Sequence, residues 1–329
     1  MIGGRARRSL WAAAGLAAVG VGWTVYAAYQ REIGAARARL ASGSFVAETR
    51  CGPIEYATAG GGPPVLVVHG AGGGYDQGLD LGEPLVPKGF RVIAMSRFGY
   101  LRTPLPRNAS AAAQADAHAC LLDTLALPRV AVVGASAGAP SAMQFALRHP
   151  ERCSALVLLV PATYTPRPSG ASAVTPPMTS MPRWAQYLFE FALRSDFVFW
   201  AAERSSRATM IRTILGTPPE VAKRASAAER ARVATVLGHI LPIAPRRDGL
   251  LNDAAVVSSL ERYGLERIAV PTLAISAADC LYGTFEGARY TAGHVPGARF
   301  IGYETGGHLC VGHQDDVVSE IAVFLSESV

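Results

Sequence analysis

Charged side chains are scarce in this 329-residue sequence: only 17% of the residues are Asp, Glu, Lys or Arg, and just two are lysines. The formal net charge of +6 is also unevenly placed. Six arginines and one glutamate give residues 1–39 a net charge of +5, which leaves about +1 for the other 290 residues. The main part of the chain therefore lacks the basic face of a nucleic-acid-binding protein.

Cysteine is also rare, with five residues in the whole chain. No Cys-x-x-Cys pair and no Cys/His spacing typical of metal ligands occurs, so we expect no metal site and no cofactor. An odd number of cysteines cannot all pair, so at least one thiol stays free.

Residues 10–30 carry no charge, are rich in Ala, Gly and Val, and have Trp and Tyr toward both ends. About 20 such residues cross a bilayer, and aromatic rings favour its interfaces. We therefore predict a single-pass membrane anchor and juxtamembrane helix over residues 1–41, with the rest of the chain exported because the N-terminal arm is short. The alternatives are a signal peptide cleaved after Ala27 and a buried core helix.

A serine flanked by glycines lies between an apolar strand and a helix. The strand covers Val130–Val133, the helix covers residues 139–149, and the turn reads Gly134-Ala-Ser136-Ala-Gly138. Such a turn exposes the serine hydroxyl at the carboxyl edge of a sheet, beside the positive end of a helix dipole. The pattern favours Ser136 as a nucleophile, and an ordinary turn of small residues is the alternative.

A glycine loop, residues 69–74, follows the apolar strand Val65–Val68. Consecutive glycines let backbone N–H groups approach a developing oxyanion without side chains between them. We predict an oxyanion hole made by the N–H of Ala137 together with that of Ala71 or Gly72. A flexible surface loop is the alternative.

Apolar strands alternate with helices along most of the chain. A hairpin is predicted at residues 45–58, further strands at 65–68, 91–95, 130–133, 155–160, 271–276 and 298–303, and helices at 110–125, 139–149, 285–292 and 315–325. Continuous apolar strands that alternate with helices are typical of a mostly parallel sheet covered on both faces. The predicted fold class is therefore α/β.

Residues 163–267 interrupt this alternation. The stretch contains five prolines near its start, no buried strand, and predicted helices at residues 184–202, 219–240 and 252–263. We predict a helical cap over the carboxyl edge of the sheet, inserted into a core made of residues 42–162 and 268–329. Its aromatic side chains are more typical of a core than of a substrate pocket.

Taken together, the motifs resemble those of the α/β-hydrolase family over residues 45–329. The resemblance depends on the His-Gly start of the glycine loop, the Gly-x-Ser-x-Gly turn, an acid after a late strand and a Gly-His pair after the last strand. It implies that Ser136 is the nucleophile, His308 the general base and Asp279 the acid that orients His308. No carboxylate follows the strand that ends at Val160, so Asp279 has no rival there.

A serine nucleophile excludes the aspartate-dependent branches of this family, the epoxide hydrolases and haloalkane dehalogenases. An ester, thioester, lactone or amide could then be the substrate. We expect an enzyme that cleaves small carboxylic esters through an acyl-enzyme, because no feature marks a site for peptides. A C–C bond hydrolase with the same triad is the first alternative. A non-catalytic binding protein on a hydrolase scaffold is the second.

Two cysteines lie next to the implied acid and base. Cys280 directly follows Asp279, and Cys310 lies two residues beyond His308. If Asp279 were hydrogen-bonded to His308, the two cysteine Cα atoms would come near the ~4.4–6.8 Å range of a disulfide. A Cys280–Cys310 disulfide is one hypothesis, and two unrelated buried thiols are the other.

Overall fold

The computed structural model describes residues 3–166 and 190–328, and the chain forms two compact units, residues 1–42 and 43–329. The first unit is one helix, α1 (Gly3–Ser42). Within the described residues no helix is both long and apolar enough to cross a bilayer, so the predicted transmembrane anchor is not supported. Ten of the 21 residues from Leu10 to Gln30 are alanine or glycine, which favour membrane insertion less than Leu, Ile, Phe or Val. Export of the second unit stays a prediction.

Eight strands form one sheet in the order β1-β2-β4-β3-β5-β6-β7-β8. They are β1 (Phe45–Thr49), β2 (Gly52–Ala59), β3 (Pro64–Val68), β4 (Arg91–Met95), β5 (Val130–Ala135), β6 (Cys153–Leu159), β7 (Thr272–Ala277) and β8 (Arg299–Tyr303). β2 pairs antiparallel with β1 and with β4, and all other neighbouring strands are parallel. The prediction of a mostly parallel α/β sheet is confirmed.

Helices cover both faces of this sheet. Residues 190–194 are helical, and the other α-helices described in the second unit are α2 (Tyr75–Gly82), α3 (Ala111–Thr124), α4 (Ala139–Arg148), α5 (Asp196–Ser205), α6 (Arg207–Thr213), α7 (Pro219–Arg224), α8 (Ala227–Gly238), α9 (Arg247–Ser258), α10 (Thr284–His294) and α11 (Gln314–Ser326). Leu66 and Val68 of β3 pack in one apolar cluster with α3, α4 and α10, whereas Val65 and Val67 pack in another with α11. Because successive side chains point to opposite faces, a strand covered on both sides is apolar throughout.

The helices between β6 and β7 differ from the three that the sequence predicts. Residues 167–189 of the predicted cap lie outside the described residues. The helix predicted at 184–202 is interrupted at Ser195 and the one at 219–240 at Ser226, because each serine side chain accepts a hydrogen bond from a backbone N–H three residues later and starts a new helix. The third begins five residues earlier than predicted, as α9. The division into core and cap stays a prediction.

A disulfide joins Cys51, in the turn between β1 and β2, to Cys120 in α3. Cys153, Cys280 and Cys310 are free and buried. The hypothesis of a Cys280–Cys310 disulfide is therefore wrong, since the sulfur of Cys280 lies instead against the imidazole of His308.

Candidate active site

Ser136 lies in a sharp turn between β5 and α4. Its φ angle is 49°, in the left-handed region that side chains other than glycine rarely adopt. The flanking glycines allow this turn to pack closely: a Cβ atom on Gly134 would lie 2.5 Å from the Cβ of Ala142, and one on Gly138 would lie 2.4 Å from the carbonyl oxygen of Val68. The strained turn therefore presents the Ser136 hydroxyl at the carboxyl edge of the sheet.

His308 meets this hydroxyl from the other side. It lies in a 3₁₀ turn, Gly307–Leu309, that follows β8. Its Nε2 atom is 2.8 Å from the Oγ atom of Ser136, although the two residues are 172 positions apart in sequence. The structure thus brings together the predicted nucleophile and the predicted general base.

Asp279 does not reach the imidazole. Its carboxylate accepts hydrogen bonds from the backbone N–H groups of Gly306 and Gly307, at 3.2 and 2.7 Å. Asp279 therefore holds the loop that carries His308, and the predicted contact between this acid and His308 is replaced by another.

The neighbouring residue Cys280 takes the place predicted for the acid. Its Sγ atom lies 3.2 Å from Nδ1 of His308, and the hydroxyl of Thr284 donates a second hydrogen bond to this sulfur at 3.1 Å. Sequence reasoning missed this role because a carboxylate one residue earlier satisfied the family pattern. The sequence does hold a signal, since Cys280 immediately follows the residue that the pattern selects.

Burial dominates the electrostatics of His308. Removal from water lowers the pKa of its imidazole to about 4, because the charged form is poorly solvated there. Among the residues that the structure describes, no carboxylate opposes this effect. His308 is therefore neutral near pH 7, the form in which Nε2 can accept a proton from Ser136.

An aromatic ring and a backbone segment also hold His308. The ring of Tyr282 packs edge-on against the imidazole, with 4.8 Å between ring centroids. The Tyr282 hydroxyl lies 2.9 Å from the carbonyl oxygens of Thr213 and Ile214. The carbonyl oxygen of Gly216 accepts from the backbone N–H of His308 at 3.2 Å. The segment after α6 thus supports the base.

The glycine loop distinguishes between the two candidates for the oxyanion hole. The N–H of Gly72 donates to the hydroxyl of Tyr100 at 3.2 Å, so this donor is already engaged by a side chain. The N–H of Ala71 makes no hydrogen bond with any described residue, and Ala71 is exposed. Ala137 follows the nucleophile in the first turn of a helical segment, where backbone N–H groups lack helical partners. Ala71 and Ala137 are therefore the favoured donors.

Two buried ion pairs hold this loop from the segment that contains α9. Arg97 donates to the Asp253 carboxylate at 2.6 and 2.7 Å and to the carbonyl oxygen of Gly70 at 3.1 Å. Arg246 donates to Asp76 at 3.0 and 2.7 Å and to the carbonyl oxygen of Gly73 at 2.6 Å. Sequence analysis did not identify either pair, because their partners lie 156 and 170 positions apart.

The protonation of the groups around Arg97 follows from these contacts. Burial disfavours the charged guanidinium, but the Asp253 carboxylate outweighs it and the pKa of Arg97 is raised. Burial and Asp253 both raise the pKa of Tyr100 well above its ordinary value. Tyr100 therefore stays a neutral hydroxyl that donates to Asp253 at 2.5 Å and accepts from the glycine loop.

His69 is a structural member of the same region. Burial, followed by the charge of Arg97, lowers the pKa of its imidazole well below the ordinary value. The neutral ring lies 2.7 Å from the Gly70 carbonyl oxygen through Nδ1 and accepts from the Arg97 backbone N–H through Nε2. Both ring nitrogens are thus engaged with the backbone. Within the described residues, no group of three His, Cys, Asp or Glu side chains could hold a metal ion.

Comparison with known proteins agrees with this geometry. The family model described as "alpha/beta hydrolase fold" matches residues 63–311. Over 107 residues, 32% of this chain, the sequence is 36% identical to an uncharacterized hydrolase of Bacillus subtilis, YcgS. Over 146 residues, 41% of this chain, it is 35% identical to a 2-hydroxy-6-oxononadienedioate/2-hydroxy-6-oxononatrienedioate hydrolase of Pseudomonas putida. The matches span 37% and 49% of those two proteins, so about half of their length or less.

A solved structure is similar over most of the chain. An alpha/beta hydrolase fold protein from Nakamurella multipartita is 26% identical, with a TM-score of 0.64, and the match covers 86% of this chain and 98% of that one. The sheet order, the turn at Ser136, the Ser136–His308 pair and the matched family model lead to one assignment. The chain belongs to the alpha/beta hydrolase fold family.

Proposed function

We propose that this protein is a serine hydrolase that cleaves carboxylic esters through an acyl-enzyme. The observation that carries the proposal is the 2.8 Å contact between Ser136 Oγ and His308 Nε2 at a strained turn beside free backbone N–H groups. A serine hydroxyl is a poor nucleophile until an adjacent imidazole takes its proton.

The arrangement supports a two-step reaction. In the first step His308 takes the hydroxyl proton as Ser136 Oγ bonds to the ester carbonyl carbon, and the N–H groups of Ala71 and Ala137 stabilise the oxyanion. The oxyanion collapses, the C–O bond to the alcohol breaks, and His308 gives its proton to the leaving oxygen. In the second step His308 takes a proton from water as the water oxygen bonds to the acyl carbon. The resulting oxyanion collapses, the bond from the acyl carbon to Ser136 Oγ breaks, and His308 gives its proton to this leaving oxygen, which frees the carboxylic acid.

A C–C bond hydrolase is the second candidate, and the name of the Pseudomonas putida relative favours it. The substrate in that name is a dianion, which a site would bind with available cationic groups. In the described part of this chain, the buried arginines beside the glycine loop, Arg97 and Arg246, are paired with Asp253 and Asp76. That pairing supports an uncharged ester as the substrate over a dicarboxylate.

A steady-state assay separates these candidates. We expect the protein to hydrolyse p-nitrophenyl acetate and butyrate, and Ser136→Ala to lower kcat by roughly 10⁴-fold or more, as expected for loss of a triad nucleophile. Parallel assays follow the loss of dienol absorbance from a 2-hydroxy-6-oxo-dienoate. Faster turnover of the dienoate would favour the C–C hydrolase. Equal ester hydrolysis by wild type and Ser136→Ala would contradict a role for this serine.

A further inference from the structure

We propose that Cys280, a thiol in place of a carboxylic acid, is the positioning residue of His308. The proposal rests on the serine-hydrolase function above and follows from the juxtaposition of Cys280 Sγ and His308 Nδ1, 3.2 Å apart. Ser136, His308 and Cys280 then form a Ser–His–Cys series. The sulfur of Cys280 orients the His308 ring, because the Asp279 carboxylate is bound to the backbone of the loop before His308.

The tautomer of His308 depends on this contact. Nε2 can accept the Ser136 proton only when the ring hydrogen is on Nδ1, and a hydrogen on Nδ1 needs an acceptor. Cys280 Sγ lies within the longer distance at which sulfur accepts a hydrogen bond. The Ser276 and Thr284 hydroxyls are 2.9 Å apart, and Thr284 also donates to this sulfur. Since Thr284 gives its one hydroxyl hydrogen to this sulfur, Ser276 donates to Thr284, and the second lone pair of the sulfur is placed to accept from Nδ1–H of His308.

No carboxylate among the described residues competes for this position. Asp279, the nearest in sequence, accepts two backbone N–H groups of the loop before His308. The other contacts of the ring are the edge of Tyr282 and the hydroxyl of Ser136. Among the described residues, the sulfur of Cys280 therefore orients the His308 ring, and no carboxylate places a full negative charge against Nδ1.

The missing charge has a kinetic consequence. When His308 takes the serine proton it becomes an imidazolium, and a neutral thiol stabilises this cation less than a carboxylate does. The free enzyme should also keep a neutral, active imidazole at unusually low pH, because burial acts on the His308 pKa without an opposing carboxylate.

Three substitutions at one position test the proposal. Cys280→Asp supplies the carboxylate: we expect kcat to rise by roughly 10-fold or more and the acidic limb of the kcat/KM profile to move up from near pH 4. Cys280→Ala removes the acceptor: we expect kcat to fall by roughly 10-fold or more with KM nearly unchanged. Cys280→Ser, a weaker change, should retain more activity than Cys280→Ala.

Two control variants separate this role from general packing. Cys153→Ala removes another buried thiol, in β6, and should leave kcat and the pH profile unchanged. Asp279→Asn weakens the loop that carries His308, so it should lower thermal stability while the acidic limb stays at its wild-type pH. Circular dichroism and thermal melts establish that each variant is folded.

The outcomes distinguish this proposal from the proposed function. If wild type is an active esterase but Cys280→Ala keeps full kcat and Cys280→Asp moves neither kcat nor the pH profile, the role of Cys280 is refuted and the hydrolase stands. If Asp279→Asn shifts the acidic limb and Cys280→Ala does not, Asp279 is the acid. If wild type shows no hydrolysis but Cys280→Asp does, Cys280 sets the state of His308 and the natural protein is not an esterase. If every Cys280 variant is unfolded, Cys280 has a packing role only and the proposal fails.

Discussion

Asp253→Asn tests how strongly α9 holds the glycine loop. The Asp253 carboxylate pairs with Arg97 at 2.6 Å, and the two side chains are only 5% and 6% exposed. An amide keeps the shape of the side chain but removes its charge, so the Arg97 guanidinium is left buried without a counter-ion. Breaking a buried pair in this way costs about 3–5 kcal/mol, and we expect that loss in the free energy of unfolding.

Urea unfolding followed by circular dichroism measures the loss. The matched control is Asp116→Asn, because Asp116 pairs with Arg148 at 2.7 Å on the surface, where the side chains are 40% and 44% exposed. Such exposed pairs contribute about 1 kcal/mol or less. If Asp253→Asn destabilises the protein no more than Asp116→Asn does, the buried Arg97–Asp253 pair does not hold the glycine loop.

The same substitution tests the link between α9 and the oxyanion hole. Asp253 also accepts from Tyr100, whose hydroxyl accepts the N–H of Gly72, so the carboxylate fixes the glycine loop through one side chain. We expect Asp253→Asn to lower kcat more than it raises KM, since the oxyanion forms only during reaction. If the variant is destabilised yet keeps the wild-type kcat, the Arg97–Asp253 pair stabilises the fold but does not support the oxyanion hole.

Two further predictions concern stability. The Cys51–Cys120 disulfide closes a loop of 69 residues, so Cys51→Ala should lower the free energy of unfolding of the oxidised protein by about 4 kcal/mol. The control Cys153→Ala should leave the disulfide intact on non-reducing mass spectrometry. An equal unfolding midpoint of the wild-type protein with and without reductant would contradict the predicted stabilisation. Burial lowers the pKa of His118 to about 3 and that of His308 to about 4. In the unfolded chain both side chains bind protons below about pH 6.5. The free energy of unfolding should therefore be at its full value above that pH and fall by several kcal/mol as the pH drops toward 4. Urea midpoints between pH 7.5 and 4.5 measure this, and a midpoint that stays constant over the range would contradict it.

The strands and the Ser136 turn are predictable because their signals are local. Apolar runs such as Val65–Val68 require cover on both faces, and the glycines at 134 and 138 fit a turn in which any Cβ would clash. The Ser136–His308 contact follows from the family resemblance, which relates motifs 172 residues apart. These parts of the fold and site were within reach of the sequence.

The remaining features depend on distances that sequence does not encode locally. Asp279 and Cys280 are adjacent, and the path of one loop decides which side chain faces His308 and which faces the backbone. The pairs of Arg97 with Asp253 and of Arg246 with Asp76 join segments far apart in the chain. The pairing of five cysteines is likewise a property of the folded chain: of the two hypotheses for Cys280 and Cys310, the disulfide is wrong and the two buried free thiols are present.

Covalent capture of Ser136 tests most directly whether this serine is a nucleophile activated by His308. Wild-type protein is treated with a fluorophosphonate at pH 7.5 and its adduct is located by peptide mass spectrometry, with Ser136→Ala and His308→Ala treated in parallel. We expect a single adduct on Ser136, none on Ser136→Ala, and labelling of His308→Ala slowed by roughly 100-fold or more, because the serine then lacks its base. No adduct on Ser136, or equal labelling rates with and without His308, would contradict the activation of Ser136 by His308.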